Sequence, residues 1–170
     1  MADFQRRVDE LCLTLSGEAN AAFEDFLHQQ IKEFNNRHSP HHLRARSAGV
    51  DPLHIFVRDG DGEIVGGLAA STYWHWLDID NFWLHNNVRG RGIGRELLRM
   101  AETEAQARGC TRVTLTTFGF QARGFYEKQG YRVVGELADY PPGGAMFWMR
   151  KDFACRSHSS DCAPNLDDQK

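Results

Sequence analysis

The sequence predicts an α/β fold of the α+β type: a mixed central sheet of about six or seven strands, flanked by helices. Three observations predict it. A strand–helix–strand unit spans residues 76–118, so its two strands should run parallel. Before it, the turn Asp59-Gly60-Asp61-Gly62 joins two apolar runs and signals an antiparallel hairpin. After it, two β-patterned runs meet around Pro141-Pro142-Gly143-Gly144. Parallel and antiparallel pairs in one sheet make it mixed.

The elements follow in chain order. Val8, Leu11, Leu13 and Leu15 alternate within residues 4–15 and suggest a first strand. Ser16 is placed to cap a helix, with Glu18 in its first turn. From Ala19 to Phe34, Ala22, Phe23, Phe26, Leu27 and Ile31 recur at helical spacing. The helix is expected to end at Asn35-Asn36, because Pro40 cannot continue it. Residues 36–52 then read as a polar loop carrying His38, His41 and His42.

Leu53–Arg58 and Glu63–Tyr73 are the strands around the Asp-Gly turn, with Gly66-Gly67 marking a bulge or a close neighbour. In Trp76–His85 the period-2 rule puts Trp76, Asp78, Asp80, Phe82 and Leu84 on one face, and Leu77, Ile79 and Trp83 on the other. Gly92–Arg108 is a helix with Ile93, Leu97, Leu98, Ala101 and Ala105 inward and Gly109 as its cap. Thr111–Phe118 is a β-branched strand and Ala122–Gln129 a short helix closed by Gly130. Tyr131–Leu137 and Ala145–Lys151 are the late strands. Residues 154–170 are polar and unpatterned and are expected to be a disordered tail, which leaves 1–153 as a single domain.

Composition narrows the function classes. The chain has 170 residues, 41% apolar and 25% charged, as in ordinary globular proteins. A net charge of −3 gives no reason to expect nucleic acid as a partner. No apolar run nears the roughly 20 residues that span a bilayer, and the opening MADFQRRVDE lacks the apolar core of a signal peptide. Cys12, Cys110, Cys155 and Cys162 are scattered with no C-x-x-C pair, so neither a zinc site nor a disulfide framework is indicated. Cys12 and Cys110 lie in apolar patterns and read as buried fillers. His28, His38, His41 and His42 lack a consistent metal-binding spacing. A cytoplasmic protein with reduced thiols and no metal is expected.

The chemistry centres on Arg89-Gly90-Arg91-Gly92-Ile93-Gly94, which follows a strand and opens a helix. The first N–H groups of a helix lack internal partners and carry the positive end of its dipole. Glycines let phosphate oxygens approach the backbone, and Arg89, Arg91 and Arg95 add cationic side chains. The pattern predicts a phosphate or pyrophosphate ligand; a glycine-rich turn with incidental arginines would read the same. A Walker A loop is excluded because no G-K-[ST] follows, and the spacing G-x-G-x-G is not the dinucleotide fingerprint G-x-G-x-x-G.

Leu84-x4-Arg89-Gly90-x-Gly92-Ile93-Gly94 resembles the coenzyme A motif of the GCN5-related N-acetyltransferases (GNAT). Phe125-Tyr126-Glu127-Lys128-Gln129-Gly130-Tyr131 resembles that family's second signature, F-Y-x-x-x-G-[FY]. The resemblance covers residues 4–153. It implies a sheet splayed at an acetyl-coenzyme A cleft, with the strand ending at Phe82-Trp83-Leu84 opening away from 111–118. Backbone groups near Leu84 would then meet the pantetheine arm, and amides of Arg89–Gly94 would hold the pyrophosphate. Arg95, Phe125 and Lys128 would complete the cofactor surroundings. Tyr126 would be the general acid that protonates the leaving thiolate, a task suited to a group that stays protonated at neutral pH. Where many members carry an Asn seven residues before that tyrosine, this chain has Gly119, and Gln121 is expected to take over the polar contact. His85-Asn86 replace the acidic residue and proline often seen after the fourth strand.

The acceptor amine must lose a proton, and Asp80 is the expected base or water anchor, with His75 and His85 as nearby imidazoles. Solvated strand-edge carboxylates are the other reading of Asp78 and Asp80. Tyr73, Trp74 and Trp76 with Asp78 suit a cationic ligand, as does a wall carrying Glu24, Asp25 and Glu33; core packing or a dimer contact explains the tryptophans equally. Trp74, His75, Trp76, Asp78 and Glu33 are therefore the candidate substrate residues.

Residues Trp76 to Pro142 also resemble a narrower bacterial set with W-L-x-I-x-x-x-W, R-G-C and F-x-F-Q-A-x-x-F-Y-E-K-x-G-Y, followed by Y-P-x-G. That set includes antibiotic-modifying enzymes, among them kasugamycin-type aminoglycoside acetyltransferases. It implies an aminoglycoside-like amine as substrate. A protein or peptide acetyltransferase, a polyamine acetyltransferase and a non-catalytic coenzyme A-binding module are the alternatives. Dimers are frequent in this fold, and exposed late strands offer pairing edges.

Overall fold

The computed structural model describes residues 4–154. The expected tail, apart from Ala154, and Cys155 and Cys162 lie outside the described residues. The described chain forms two compact units that divide between Ala48 and Gly49.

The first unit departs from the sequence reading in three places. Residues 4–15 are two strands, β1 (Phe4–Val8) and β2 (Leu11–Leu15), paired antiparallel. Asp9 turns the chain between them with φ +54°, a conformation Asp tolerates better than most residues. Cys12 lies exposed on β2 rather than in a core. The helix α1 spans Ala21–His38 and is capped by Asn20, whose side chain accepts from Phe23 N at 3.0 Å. Ser16 sits upstream of that start, where its hydroxyl accepts from Glu18 N. Pro40 ends nothing: it begins a further helix, α2 (Pro40–Ala48), with Ser39 Oγ accepting from His42 N. Proline suits a first helical position, where its missing N–H would be unpaired anyway. Hence His41 and His42 are helical residues, not loop residues.

The second unit is a six-stranded mixed sheet in the order β3-β4-β5-β6-β8-β7. Its strands are β3 (Asp51–Arg58), β4 (Ile64–Tyr73), β5 (Trp76–Leu84), β6 (Arg112–Phe118), β7 (Arg132–Ala138) and β8 (Ala145–Asp152). The Asp59–Gly62 turn is fixed by Asp59 Oδ1, which accepts from both Asp61 N and Glu63 N at 3.0 Å. β5 and β6 are parallel, as the intervening helix α3 (Ile93–Ala107) requires. A shorter helix, α4 (Arg123–Lys128), precedes β7. The core lies on the face covered by the helices: Leu77, Ala101, Ala105, Val113 and Met149 are fully buried there.

Gly66 and Gly67 mark close approach. A Cβ on Gly67 would lie 2.4 Å from Ile55 O, and one on Gly66 would lie 2.7 Å from Trp83 O. The bulges fall beside them. β3 and β4 shift register between Val57 and Arg58. β4 and β5 shift at Ala69/Ala70: Ala70 pairs with Ile79 and Ala69 with Asn81, so Asp80 opposes no residue of β4.

This second bulge overturns the expected alternation. One extra residue inverts the facing of everything beyond it. Leu77 and Ile79 face the helices, and after Asp80 so do Phe82 and Leu84, with Phe82 packed against the core cluster. Asn81 and Trp83 continue the opposite face begun by Trp76 and Asp78.

Candidate active site

The parallel pairing of β5 and β6 runs only from Trp76↔Arg112 to Ile79↔Leu115. Both strands continue beyond that point, β5 to Leu84 and β6 to Phe118. The bulge at Asp80 begins where the pairing ends, so it turns β5 away and opens a gap. A cleft of about 1090 Å³ fills the gap. Its walls come from β5 (Asp80, Phe82, Trp83, Leu84), from β6 (Leu115, Thr116, Thr117) and from the turn and helix after β6 (Phe120, Gln121, Phe125, Tyr126).

The glycine-rich loop closes one end. A short 3₁₀ turn, Asn86–Val88, delivers the chain to Arg89. Gly90 and Gly92 take φ +73° and +81°, which glycine adopts without penalty. Gly92 is the cap of α3. Gly94 lies where a Cβ would meet the Phe125 ring at 3.3 Å, so the helix start and α4 are closely packed. Arg89, Arg91 and Arg95 all line the cleft. Arg89 also ties the loop to β5: its Nε donates to Leu84 O at 2.8 Å. Thus one of the backbone groups near Leu84, where a pantetheine arm is expected, accepts from an arginine. Exposed helix amides, left-handed glycines and three guanidinium groups around one opening fit a pyrophosphate.

Tyr126 on α4 also lines the cleft, 7% exposed, with the Phe82, Phe125 and Tyr131 rings at 5.3–6.4 Å from its own. Burial pushes its hydroxyl up to about 12, so it is a proton donor throughout the neutral range. Gln121 caps the end of β6: its Oε1 accepts from Phe118 N at 2.8 Å and from the Thr117 hydroxyl at 3.3 Å.

Asp80 faces the same cleft. Its carboxyl is raised above the ordinary range, first by burial and then by the charge of Asp78. Asp78 itself accepts from the Tyr73 hydroxyl at 2.8 Å. Burial, then that hydrogen bond, pushes Tyr73 up to about 12.

The other candidate residues stand elsewhere. Trp74 and His75 form the two-residue turn between β4 and β5, at φ +50° and +62°. His75 Nδ1 lies 3.0 Å from Gly109 O. Trp76 is flanked by Arg112 and Arg150, whose guanidinium carbons lie 5.4 and 5.2 Å from its ring centre. Neither these three residues nor Asp78 lines the cleft. Ile93 and Lys128 flank the cleft wall without lining it, and Gln129 lines it where Lys128 was expected. Glu33 belongs to α1 and pairs with Arg37 at 3.4 Å. Thr116, Thr117 and Phe120 were missed. Phe120 stands in the F-x-F-Q run, which names it without a role; for the two threonines the signal is the splay itself, which bares the end of β6.

A mixed sheet that splays beside a glycine-rich helix start, with a buried tyrosine across the gap, defines an acyltransferase that takes its acyl group from coenzyme A. Residues 19–131 match the acetyltransferase (GNAT) family model, and the chain belongs to that family. It is an acetyl-coenzyme A-dependent N-acetyltransferase. The blasticidin-S acetyltransferase of Streptomyces morookaense is 42% identical over 121 residues, 67% of this chain and 89% of that one. A crystal structure of an acetyltransferase from Bacillus cereus superposes with a TM-score of 0.68 at 26% identity, covering 82% of this chain and 97% of the other. An aminoglycoside 6'-acetyltransferase type Ii gives 0.54 at 26% identity, over 62% and 72%. Among the described residues no helix is long and apolar enough to cross a membrane, and no cluster of His, Cys, Asp or Glu has metal-binding geometry.

Proposed function

We propose that this enzyme acetylates a primary amine on a small cationic antibiotic, by direct attack in a ternary complex. The observation that carries the reading is the single cleft shared by Asp80, Tyr126 and the glycine-rich loop. Amides and arginines of 89–95 hold the pyrophosphate, and Phe82, Trp83, Leu84 and Gln121 border the arm that leads to the thioester. Asp80, directly or through a water, takes a proton from the acceptor ammonium or from the nitrogen as it attacks. The new C–N bond forms at the thioester carbonyl carbon, the C–S bond breaks, and Tyr126 returns a proton to sulfur. Products are the acetamide and free coenzyme A.

An antibiotic acceptor is supported by the names of two similar proteins, which act on blasticidin S and on aminoglycosides. It is supported too by the negative charge of Asp78 and Asp80 beside the splay, which favours a cation. A cytoplasmic setting accords with a reaction that consumes acetyl-coenzyme A. The test is thiol release from acetyl-coenzyme A with blasticidin S, streptothricin, a set of aminoglycosides, spermidine and a lysine-containing peptide. Turnover confined to antibiotics supports the reading. Turnover on the peptide or the polyamine alone replaces the antibiotic with that class. Tight acetyl-coenzyme A binding without turnover on any amine favours a non-catalytic binding module.

A further inference from the structure

The cleft carries an aromatic platform that the acetyl-transfer chemistry does not use. Phe118 ends β6, and Phe120 follows it in the turn toward α4. Their rings lie parallel, 6° between planes and 5.3 Å between centres. Tyr140, from the loop between β7 and β8, extends the stack on Phe118 at 6.2 Å and 29°. Phe120 is 73% exposed and Tyr140 51%. Of the three, Phe120 lines the cleft, together with Asp80.

An exposed phenyl ring gains little from the core, and this one is not needed to hold its own turn. Gln121 Oε1 and the Gly119 N–H bond to Ala145 O, 2.8 Å, fix that turn. The Tyr140 loop is likewise closed by its own bonds: Gly143 N to Asp139 Oδ1 at 2.7 Å, and Gly144 N to Pro141 O at 2.8 Å. Both turns are therefore held in place, which lowers the ordering cost of binding on the rings they carry. With one face of Phe120 on Phe118 and most of its surface in solvent, the other face is open. An open aromatic face selects planar conjugated partners, which stack in offset geometry. Asp80 in the same cleft, with Asp78 beside it, selects a cation.

We infer that Phe120, backed by Phe118 and Tyr140, is a specificity-determining residue that stacks a planar aromatic or heteroaromatic ring of the acceptor while Asp80 receives its amine. The substrate class is thus a ring-bearing amine rather than a saturated polyamine or a purely saturated sugar amine. This rests on the acetyltransferase reading above, and it narrows the acceptor.

The test compares two primary amines of equal charge, tryptamine and 2-cyclohexylethylamine, bound to the coenzyme A-loaded protein by calorimetry. Tryptamine should bind about two- to tenfold more tightly. Phe120→Leu, which keeps apolar bulk but loses the planar face, should erase the preference, and Phe120→Trp should restore it. Melting curves of both variants establish that each is folded. Equal affinities in the unmodified protein, no tryptamine binding, or a preference that survives Phe120→Leu would each overturn the inference. Thiol release from acetyl-coenzyme A is read separately across the antibiotic and amine set. Silence there with the ring preference intact counts against the transferase chemistry and leaves the platform standing.

Discussion

The Glu102 carboxylate on α3 lies 2.6 Å from the Lys151 ammonium on β8. Its other oxygen accepts the Tyr131 hydroxyl at 3.0 Å. The group sits deep, with the Glu102 side chain 12% exposed and that of Lys151 25%. It joins the helix that carries the glycine-rich loop to the strands behind Tyr126, whose ring meets that of Tyr131 at 5.6 Å.

Removing one member of such a pair strands the others. Glu102→Ala leaves an ammonium and a phenol short of an acceptor, and is expected to cost about 3 kcal/mol of folding stability. Glu102→Gln keeps one acceptor for Tyr131 and should cost less. Denaturant melts of the two variants measure the difference; equal, small losses would mean the carboxylate contributes nothing beyond packing.

The glycine-rich loop separates binding from folding. Gly92 has φ +81°, but a Cβ there would meet only Arg95 Nη2, at 3.8 Å. Gly92→Val should therefore fold, at the cost of about 1–2 kcal/mol of backbone strain, and it should bind acetyl-coenzyme A at least about tenfold more weakly, by shifting the amides at the helix start. Gly66→Ala acts elsewhere: its Cβ would lie 2.7 Å from Trp83 O and 2.6 Å from Leu84 Cδ2. Since backbone cannot retreat cheaply, the end of β5 must shift, and stability should fall by about 1–3 kcal/mol. Calorimetric titration with acetyl-coenzyme A and thermal melts read the two effects.

Much of this was legible in the sequence because local signals agreed with the global fold. The Asp59–Gly62 turn and the apolar stripe of α3 each point to one answer, and the parallel β5–β6 pair follows from the helix between them. The facing of β5 was not legible. A bulge leaves no mark on a strict period-2 reading, which puts Phe82 and Leu84 on the face of Asp78. α2 is not legible because Pro-His-His-Leu-Arg-Ala-Arg-Ser-Ala lacks an apolar stripe, and a proline after a helix reads as a stop as readily as a start. The hairpin at Asp9 hid inside a run whose alternation continued across the turn. At the site, the loop and Tyr126 came from contiguous motifs. Thr116 and Thr117 depend on where two strands part, which is a tertiary fact, and Phe120 is named by F-x-F-Q without a role.

Tyr126 carries a pH prediction. Burial pushes its hydroxyl up to about 12. A general acid is lost as pH rises through its own pKa, so no falling limb from Tyr126 should appear below about pH 10. Tyr126→Phe should lower kcat by about 10²–10⁴-fold at every pH below that. It should leave the acetyl-coenzyme A affinity unchanged within about twofold, because the ring and its packing remain. A kcat that Tyr126→Phe does not change would assign the proton to another donor.

Asp80 governs the acid side. Its carboxyl is raised by burial and by the negative charge of Asp78. As a base it works only when ionised, so kcat/KM should climb with pH through a limb above the ordinary aspartate value of about 3.9. Asp80→Asn should remove that limb and leave a low, flat rate until the acceptor amine loses its own proton several units higher. Asp78→Asn has a different sign. It removes a neighbouring negative charge, which favours the ionised form of Asp80, so the limb should move to lower pH while the plateau persists. A limb that stays in place in Asp78→Asn, or that survives in Asp80→Asn, would show that the titrating group is not Asp80. Measuring kcat beside kcat/KM separates a base from a carboxylate that only attracts the substrate, since the latter would put the limb in KM and leave kcat flat across it.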